Sequence, residues 1–153
     1  MSAAGGTDTP VTGSGTEHDA VVTGTVTTET GRFVVSARSN HLVTDSRLAG
    51  GEAVHAGELL LAALTSCAMA NFEHNAKEDG LQIDGIVTRA AHTRGTVDPT
   101  RYDRTVLEIE VSGVEYEDAF ALGRKFVAAC PIYNTIKRGS GIELTINGRL
   151  FTE

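Results

Sequence analysis

The sequence predicts an α+β fold in which helices pack on an antiparallel sheet. Three observations indicate this class. First, segments with alternating Val and Thr residues lie on both sides of a long apolar stretch. Second, that stretch (residues 57–80) has no proline or internal glycine. Third, a second, amphipathic helical segment follows near the C-terminal end. Strands and helices grouped in this way are typical of α+β proteins, with helices on one side of an antiparallel sheet.

The N-terminal third is predicted to be a tail followed by three strands. Residues 1–18 consist largely of Gly, Ser, Thr and Ala, and we expect a flexible tail there, with a single domain over residues 19–153. From Ala20 the segments AVVTGTVTTE, RFVVSAR and HLVTD read as strands. Gly31 lies between the first two as a turn residue, which predicts a hairpin or meander.

The stretch GELLLAALTSCAMANFEHNAKEDG is the strongest helix signal of the chain. It begins at Gly57 and ends at Gly80, a residue type that commonly terminates helices. Its first half is apolar on nearly all sides, which is typical of a central, buried helix.

The second half of the chain continues with two strands, two helices and a strand. LQIDGIVTRAAHTR and RTVLEIEVSG alternate as strands do, and DPTRY between them reads as a turn. EYEDAFALGRKFVAA is predicted to be an amphipathic helix, which Cys130-Pro131 ends. Residues 132–138 form a further short helix, since Pro131 is tolerated at a helix start, and GIELTINGRL is predicted to be one final strand.

Composition excludes several classes of function. The net charge is −7, from 20 acidic and 13 basic side chains, and a phosphate-binding protein needs the opposite balance, so we expect no nucleic-acid partner. No apolar run approaches the roughly 18–20 residues of a membrane helix, so we expect no membrane association. The first residues show no basic segment followed by an apolar one, and the cytoplasm is therefore the expected location.

The two cysteines, Cys67 and Cys130, are the candidate chemical groups. In a reducing compartment they are expected to be thiols, and a bridge between them would be transient. Burial in the long helix makes Cys67 inert unless a positive charge or a hydrogen-bond donor lowers its pKa. Cys130 is predicted to be the N-cap of the short helix, where a thiolate is favoured. One shielded cysteine and one activated cysteine suit a cycle in which the two thiols form a transient disulfide. The alternative interpretation is that they are two unrelated buried thiols.

Other polar residues give weaker signals. Glu58 opens the apolar helix, and its carboxylate either seeks a basic partner or serves only the helix dipole. His41, His55, His74 and His92 show no spacing that would bring metal ligands together, so no metal site is predicted.

Two segments carry a family resemblance. The chain resembles the OsmC/Ohr family of thiol-dependent peroxidases in the segment GGEAVHAGELLLAALTSCAMA and, more than sixty residues later, in CPIYNTI. The helix sequence ELLLAAL looks closer to the general OsmC-like branch than to the organic hydroperoxide resistance proteins. The resemblance covers roughly residues 20–150. It implies an OsmC-like fold in which antiparallel sheets pack around long central helices in an intertwined homodimer, with the active sites at the subunit interface.

The resemblance also implies roles for individual residues. Cys67 matches the peroxidatic thiol, Cys130 the resolving thiol, and Glu58 the glutamate that holds an arginine against the reactive sulfur. That arginine is either Arg47, eleven residues before Glu58 as in OsmC-type proteins, or Arg32, which fits the organic-hydroperoxide branch. We prefer Arg47, although either could supply the charged donor. The family's proline before the glutamate is Gly57 in this chain.

The implied activity is the reduction of organic hydroperoxides in oxidative stress defence. No cofactor or metal is implied, and the reductant is an external dithiol such as the dihydrolipoyl group of a lipoylated partner protein. The alternative is a non-catalytic OsmC-like dimer that binds a small apolar ligand or senses redox state.

Overall fold

The computed structural model describes residues 20–46 and 48–152, which fall into two compact units divided between Ala53 and Val54. We call them the N-terminal and the C-terminal unit. The predicted flexible tail over residues 1–18 lies outside the described residues, and the single domain over residues 19–153 stays a prediction. The described residues form three helices and two sheets, which confirms the α+β class.

The N-terminal unit is a three-stranded antiparallel meander. Its strands are β1 (Thr23–Val26), β2 (Arg32–Ala37) and β3 (Asn40–Asp45), in that order across the sheet. Gly31 has φ +85°, and a Cβ there would lie 2.9 Å from the backbone nitrogen of Ala49. Only glycine combines this backbone conformation with so close an approach. The predicted meander is therefore confirmed, with its glycine turn.

The C-terminal unit contains three helices and a four-stranded sheet, in which the strands lie side by side in chain order. In chain order the elements are α1 (Ala56–Glu78), β4 (Gly85–Arg94), β5 (Tyr102–Ser112), α2 (Tyr116–Ala129), α3 (Pro131–Gly139), β6 (Gly141–Ile146) and β7 (Arg149–Leu150).

Two predictions about this sheet are wrong. The sheet is not purely antiparallel, because β5 and β6 pair in parallel, with Leu107 opposite Leu144. The long connection through α2 and α3 permits the parallel return. The predicted single final strand is also two strands, since Asn147 (φ 46°) and Gly148 (φ 72°) form a turn between β6 and β7. Two successive residues of positive φ are typical of a tight hairpin turn.

The ends of α1 follow the predicted signals. The backbone N–H of His55, the N-cap, donates to Oε2 of Glu58 at 2.7 Å. At the other end Gly80 has φ +69°, and the N–H of Leu81 donates to the carbonyl of Ala76 at 2.9 Å. This is the Schellman arrangement that a glycine after the last turn allows.

Within one chain, α1 is buried on one face only. The residues that it buries are Leu64, Ala68, Phe72, Asn75 and Ala76. Leu60 keeps 39% of its surface exposed, and Ala62 and Ala63 are exposed as well. The expectation of a helix buried on all sides is thus not met by the single chain.

Aromatic side chains join the three helices into one core. The ring of Phe126 on α2 lies 6.0 Å from that of Phe72 on α1 and 5.1 Å from that of Tyr133 on α3. Gly123 on α2 faces β6 so closely that a Cβ would clash with the side chain of Ile146. This packing holds the first turn of α3 beside the middle of α1, where Cys67 lies.

Candidate active site

The two cysteines, 63 residues apart in sequence, meet inside the C-terminal unit. Cys67 is on α1, and Cys130 lies between α2 and α3, where it is completely buried. Both are free thiols, and the side chain of Cys130 is close enough to that of Cys67 to raise its pKa. Cys67 is partly buried and packs against the hydrophobic core. Two thiols in contact can be joined by a disulfide with little backbone movement.

Cys130 is held by the start of α3, as the sequence predicts. It is the N-cap of α3 with Pro131 in the first helical turn, and its Sγ accepts a hydrogen bond from the backbone N–H of Tyr133 at 3.4 Å. Its own N–H donates to the carbonyl of Phe126 at 2.9 Å. The sulfur therefore takes the place that a serine or aspartate oxygen takes in other N-caps.

The electrostatics of Cys67 differ from what a reactive thiol needs. Burial raises the pKa of Cys67 to about 11, and the neighbouring Cys130 adds to this effect. The backbone N–H of Ile132 and the side chain of Asn71 act in the opposite direction. At that pKa about one molecule in ten thousand carries the thiolate at pH 7. Neither the N–H of Ile132 nor the amide of Asn71 carries a positive charge.

Two of these contacts were not predicted from the sequence. Asn71 lies one helical turn after Cys67, and its Nδ2 donates to the carbonyl of Cys67 at 2.9 Å and to its Sγ at 3.5 Å. The spacing of four residues on a predicted helix is a signal that could have indicated Asn71. The N–H of Ile132 could not be found in this way, because its position depends on how α3 packs against α1.

Glu58 caps the helix that carries Cys67. Its carboxylate accepts the N–H of His55, so it stabilises the start of α1 as an acidic side chain near a helix N-terminus does. Its side chain is exposed enough to accept a further partner. The predicted pairing of Glu58 with an arginine stays a prediction.

Arg32 is bound by carboxylates of the N-terminal unit. Its Nε and Nη2 donate to the two oxygens of Asp45 at 2.8 and 3.0 Å, and further bonds reach Glu52 at 2.9 Å and Glu29 at 3.0 Å. The Asp45 side chain is fully buried and also accepts the backbone N–H groups of Glu52 and Ala53. These bonds lower the pKa of Asp45 to about 2, and they raise the pKa of Arg32.

The remaining predicted residues bear on the site less directly. Arg47, the favoured arginine, lies outside the described residues. Within residues 20–46 and 48–152, no group of three or more His, Cys, Asp or Glu side chains is arranged to hold a metal ion. None of the helices described there has both the length and the apolar character needed to cross a membrane.

These observations define the class of protein. It is an α+β protein with two neighbouring thiols, one on a long helix and one at a Cys-Pro helix start. A family model, described as OsmC-like protein, matches residues 49–145, which is more than half of the chain and includes both cysteines. The chain belongs to the OsmC-like family. No curated protein sequence matches it.

Solved structures share the fold at low sequence identity. An OsmC-like protein from Mycoplasma pneumoniae is 16% identical, with a TM-score of 0.73 over 86% of this chain and 99% of its own. The organic hydroperoxide resistance protein OsmC from Legionella pneumophila gives 17% and 0.68, covering 86% and 98%. For OhrB, the organic hydroperoxide resistance protein of Bacillus subtilis, the values are 18% and 0.65, covering 84% and 98%. Identities this low show the fold alone.

Proposed function

We propose that the protein is a thiol-dependent peroxidase that reduces organic hydroperoxides in oxidative stress defence. The observation that carries the proposal is the contact between the thiols of Cys67 and Cys130 within one chain. Family membership and neighbours named as organic hydroperoxide resistance proteins support it. Location in the cytoplasm, where thiols stay reduced, is part of the proposal.

The proposed cycle begins at Cys67. Its thiolate attacks the distal oxygen of the hydroperoxide, the O–O bond breaks, and the alkoxide leaves as an alcohol after taking up a proton, which leaves a sulfenic acid on Cys67. The thiol of Cys130 then attacks this sulfur, and a disulfide and one water molecule form. An external dithiol, such as a dihydrolipoyl group on a partner protein, reduces the disulfide to two thiols and becomes a cyclic disulfide itself.

The order of the two cysteines follows from their exposure. A peroxide has to reach the attacking sulfur, and Cys67 is partly exposed, whereas Cys130 is completely buried. Cys130 is in contact with Cys67 and needs only to reach a sulfenic acid formed there. The apolar core around the pair favours hydroperoxides with an organic substituent over hydrogen peroxide.

The proposed activation requires a cation, and the groups that most lower the pKa of Cys67, Ile132 and Asn71, carry no charge. An arginine beside the sulfur would favour the thiolate and orient the peroxide, and Arg47 and Arg32 are the candidates. We favour Arg47, because the guanidinium of Arg32 is bound to three carboxylates. Glu58 is the proposed carboxylate that holds the arginine in place.

A homodimer is the proposed assembly, with its active sites at the subunit interface. In the middle of α1, over residues 59–70, the exposed residues are small or apolar, namely Leu60, Ala62, Ala63, Ser66 and Ala70. An apolar face of this length on the longest helix is stabilised when a second copy covers it. Sedimentation analysis should give twice the mass of the chain, and Ala63→Glu should shift it towards the monomer.

The peroxidase proposal is tested by following cumene hydroperoxide with dihydrolipoamide as reductant. The unchanged protein should turn over many times, Cys67→Ser should fall to the rate without protein, and Cys130→Ser should react once and stop at a sulfenic acid on Cys67. Mass spectrometry after one equivalent of peroxide identifies the species. An absence of turnover by the unchanged protein would contradict the proposal.

One observation favours the alternative, a non-catalytic dimer that binds a small apolar ligand or senses redox state. The raised pKa of Cys67 keeps it protonated at neutral pH unless a cation approaches. A sensor would still form the Cys67–Cys130 disulfide with peroxide, but slowly and without turnover by dihydrolipoamide. The same assay separates the two functions by counting turnovers per chain.

A further inference from the structure

The side chain of Asn71 connects two atoms of Cys67. Its Nδ2 lies 2.9 Å from the carbonyl oxygen of Cys67 and 3.5 Å from Sγ. The second distance is ordinary for a hydrogen bond to sulfur, whose atomic radius is larger than that of oxygen. An amide nitrogen carries two hydrogens, so one can serve each acceptor.

The carbonyl of Cys67 determines which way this amide points. The alternative orientation of Asn71 would place its own oxygen against the carbonyl oxygen, and two acceptors repel each other. The N–H side of the amide is therefore fixed beside the sulfur. A donor in this position stabilises a thiolate more than a thiol, because the bond is stronger to a charged acceptor.

Asn134 shows that this contact is not a general result of the spacing. Asn134 follows Cys130 by four residues, as Asn71 follows Cys67, and it also donates to the carbonyl of its cysteine, at 3.0 Å. Its second bond, at 2.9 Å, goes to the carbonyl of Val127. The two Cys-x-x-x-Asn segments thus differ in their second acceptor, which is a sulfur only for Asn71.

We propose that Asn71 is a positioning residue for Cys67, which holds an amide N–H against Sγ and keeps that sulfur directed at Cys130. Its role in a catalytic cycle rests on the proposed function, whereas its effect on the thiol does not. Asn71 and the N–H of Ile132 are the described donors that counteract the effect of burial on Cys67. An arginine that approaches Cys67 would further stabilise the thiolate of a sulfur that Asn71 already orients.

The test measures how fast iodoacetamide alkylates Cys67 as a function of pH. All variants carry Cys130→Ser, so that Cys67 is the only cysteine, and the alkylated residue is counted by mass spectrometry. Asn71→Leu removes the donor, keeps a side chain of similar size and has a higher helix propensity than Asn, and the midpoint should rise by about half to one pH unit. Asn71→Gln, which retains an amide, should recover at least part of this shift.

Asn71→Ser is the second variant, in case Leu disturbs the fold. Serine has one hydrogen and bonds the carbonyl four residues before it, so the sulfur loses its donor while the helix keeps a local bond. Its midpoint should also rise. Asn134→Ser is the matched control, because Asn134 donates to carbonyls only, and it should leave the midpoint of Cys67 unchanged.

The proposal is overturned if the Leu and Ser variants give the same profile as their parent, or if Asn134→Ser shifts the midpoint as much as they do. Alkylation consumes no peroxide, so this result is independent of the peroxidase assay. A shifted profile in a protein without turnover would retain the role of Asn71 and reject the proposed function. Turnover of peroxide together with unshifted alkylation profiles would support the proposed function and reject the role of Asn71.

Discussion

The two units of the chain differ in the charge of the groups that surround their functional side chains. The N-terminal unit surrounds one cation, the guanidinium of Arg32, with the carboxylates of Glu29, Asp45 and Glu52. The C-terminal unit packs two neutral thiols into an apolar core, where their partners are backbone N–H groups and one amide. The N-terminal unit thus neutralises the guanidinium of Arg32, whereas the hydrogen-bond donors around the two thiols carry no charge.

This difference narrows the question of how Cys67 is activated. One positive charge among three negative ones leaves a local net charge of −2, and such a group does not favour a thiolate nearby. Arg32 would have to exchange at least one of these carboxylates for Glu58 before it could serve Cys67. This requirement is why we favour Arg47 over Arg32.

The largest expected effect comes from removing the packing that holds the thiols. Phe126 is completely buried between Phe72 and Tyr133, so Phe126→Ala should lower the free energy of unfolding by about 3–5 kcal/mol. The cavity also loosens the start of α3, and Cys130 should become reactive towards a thiol reagent in the native protein. Urea denaturation and the rate of thiol labelling measure the two effects.

Val97 provides the control for this variant. It is 95% exposed, so Val97→Ala should change the free energy of unfolding by no more than about 0.5 kcal/mol and leave Cys130 protected. Equal destabilisation by the two substitutions would mean that the thiols are not held by the helix core. The contrast between the units would then lose its basis.

Much of the fold could be predicted because the local signals agree with the final structure. Alternating Val and Thr residues, Gly31 at a turn and Gly80 after a helix each have a backbone reason that does not depend on distant contacts. The direction of β6 is different, since alternation looks the same in a parallel and an antiparallel strand. The turn at Asn147-Gly148 was predictable, because Asn-Gly is a strong hairpin signal, and the strand β7 that follows it is two residues long.

In the candidate site, too, local features were predictable from the sequence and contacts between distant segments were not. The cap position of Cys130 follows from the Cys-Pro dipeptide, and the structure confirms it. Contacts that depend on how helices pack, such as the approach of Ile132 to Cys67, leave no pattern in a single sequence. The carboxylates around Arg32 were missed for the same reason, since Asp45 and Glu52 are 13 and 20 residues away from it.

The next largest effect concerns the cation in the N-terminal unit. The hydrogen bond from Arg32 lowers the pKa of Asp45 from 3.8 to about 2. The folded state therefore releases this proton more readily than the unfolded state, and the stabilisation is complete above about pH 4 and is lost as the pH falls towards 2. Asp45→Asn should destabilise the protein at pH 7 and flatten the loss of stability between pH 4 and 2, measured as denaturation midpoints.

Glu108→Gln is the matched control for Asp45→Asn. Glu108 accepts a bond of 2.7 Å from Arg89, as short as the bonds of Arg32, but this pair lies on an exposed face of the sheet. Exposed pairs contribute little, so the variant should keep both the stability at pH 7 and the acid profile of the unchanged protein. If Glu108→Gln changed them as much as Asp45→Asn, burial of Asp45 would not be the reason for its effect.

The smallest effect should appear in the C-terminal unit, at the opposite end of the pH scale. Burial and the neighbouring Cys130 raise the pKa of Cys67 from 9.0 to about 11, so above pH 9 the unfolded state releases a proton that the folded state retains. Stability is complete below about pH 9 and falls as the pH rises to 11, by no more than about 1–2 kcal/mol because Cys67 is partly exposed. Thermal melting of the reduced protein at pH 8 and pH 10 measures this loss, and Cys67→Ala should show less of it than the unchanged protein. Equal losses in the two proteins would mean that folding does not raise the pKa of Cys67, and the contrast between a neutralised guanidinium in one unit and buried, uncharged thiol surroundings in the other would no longer hold.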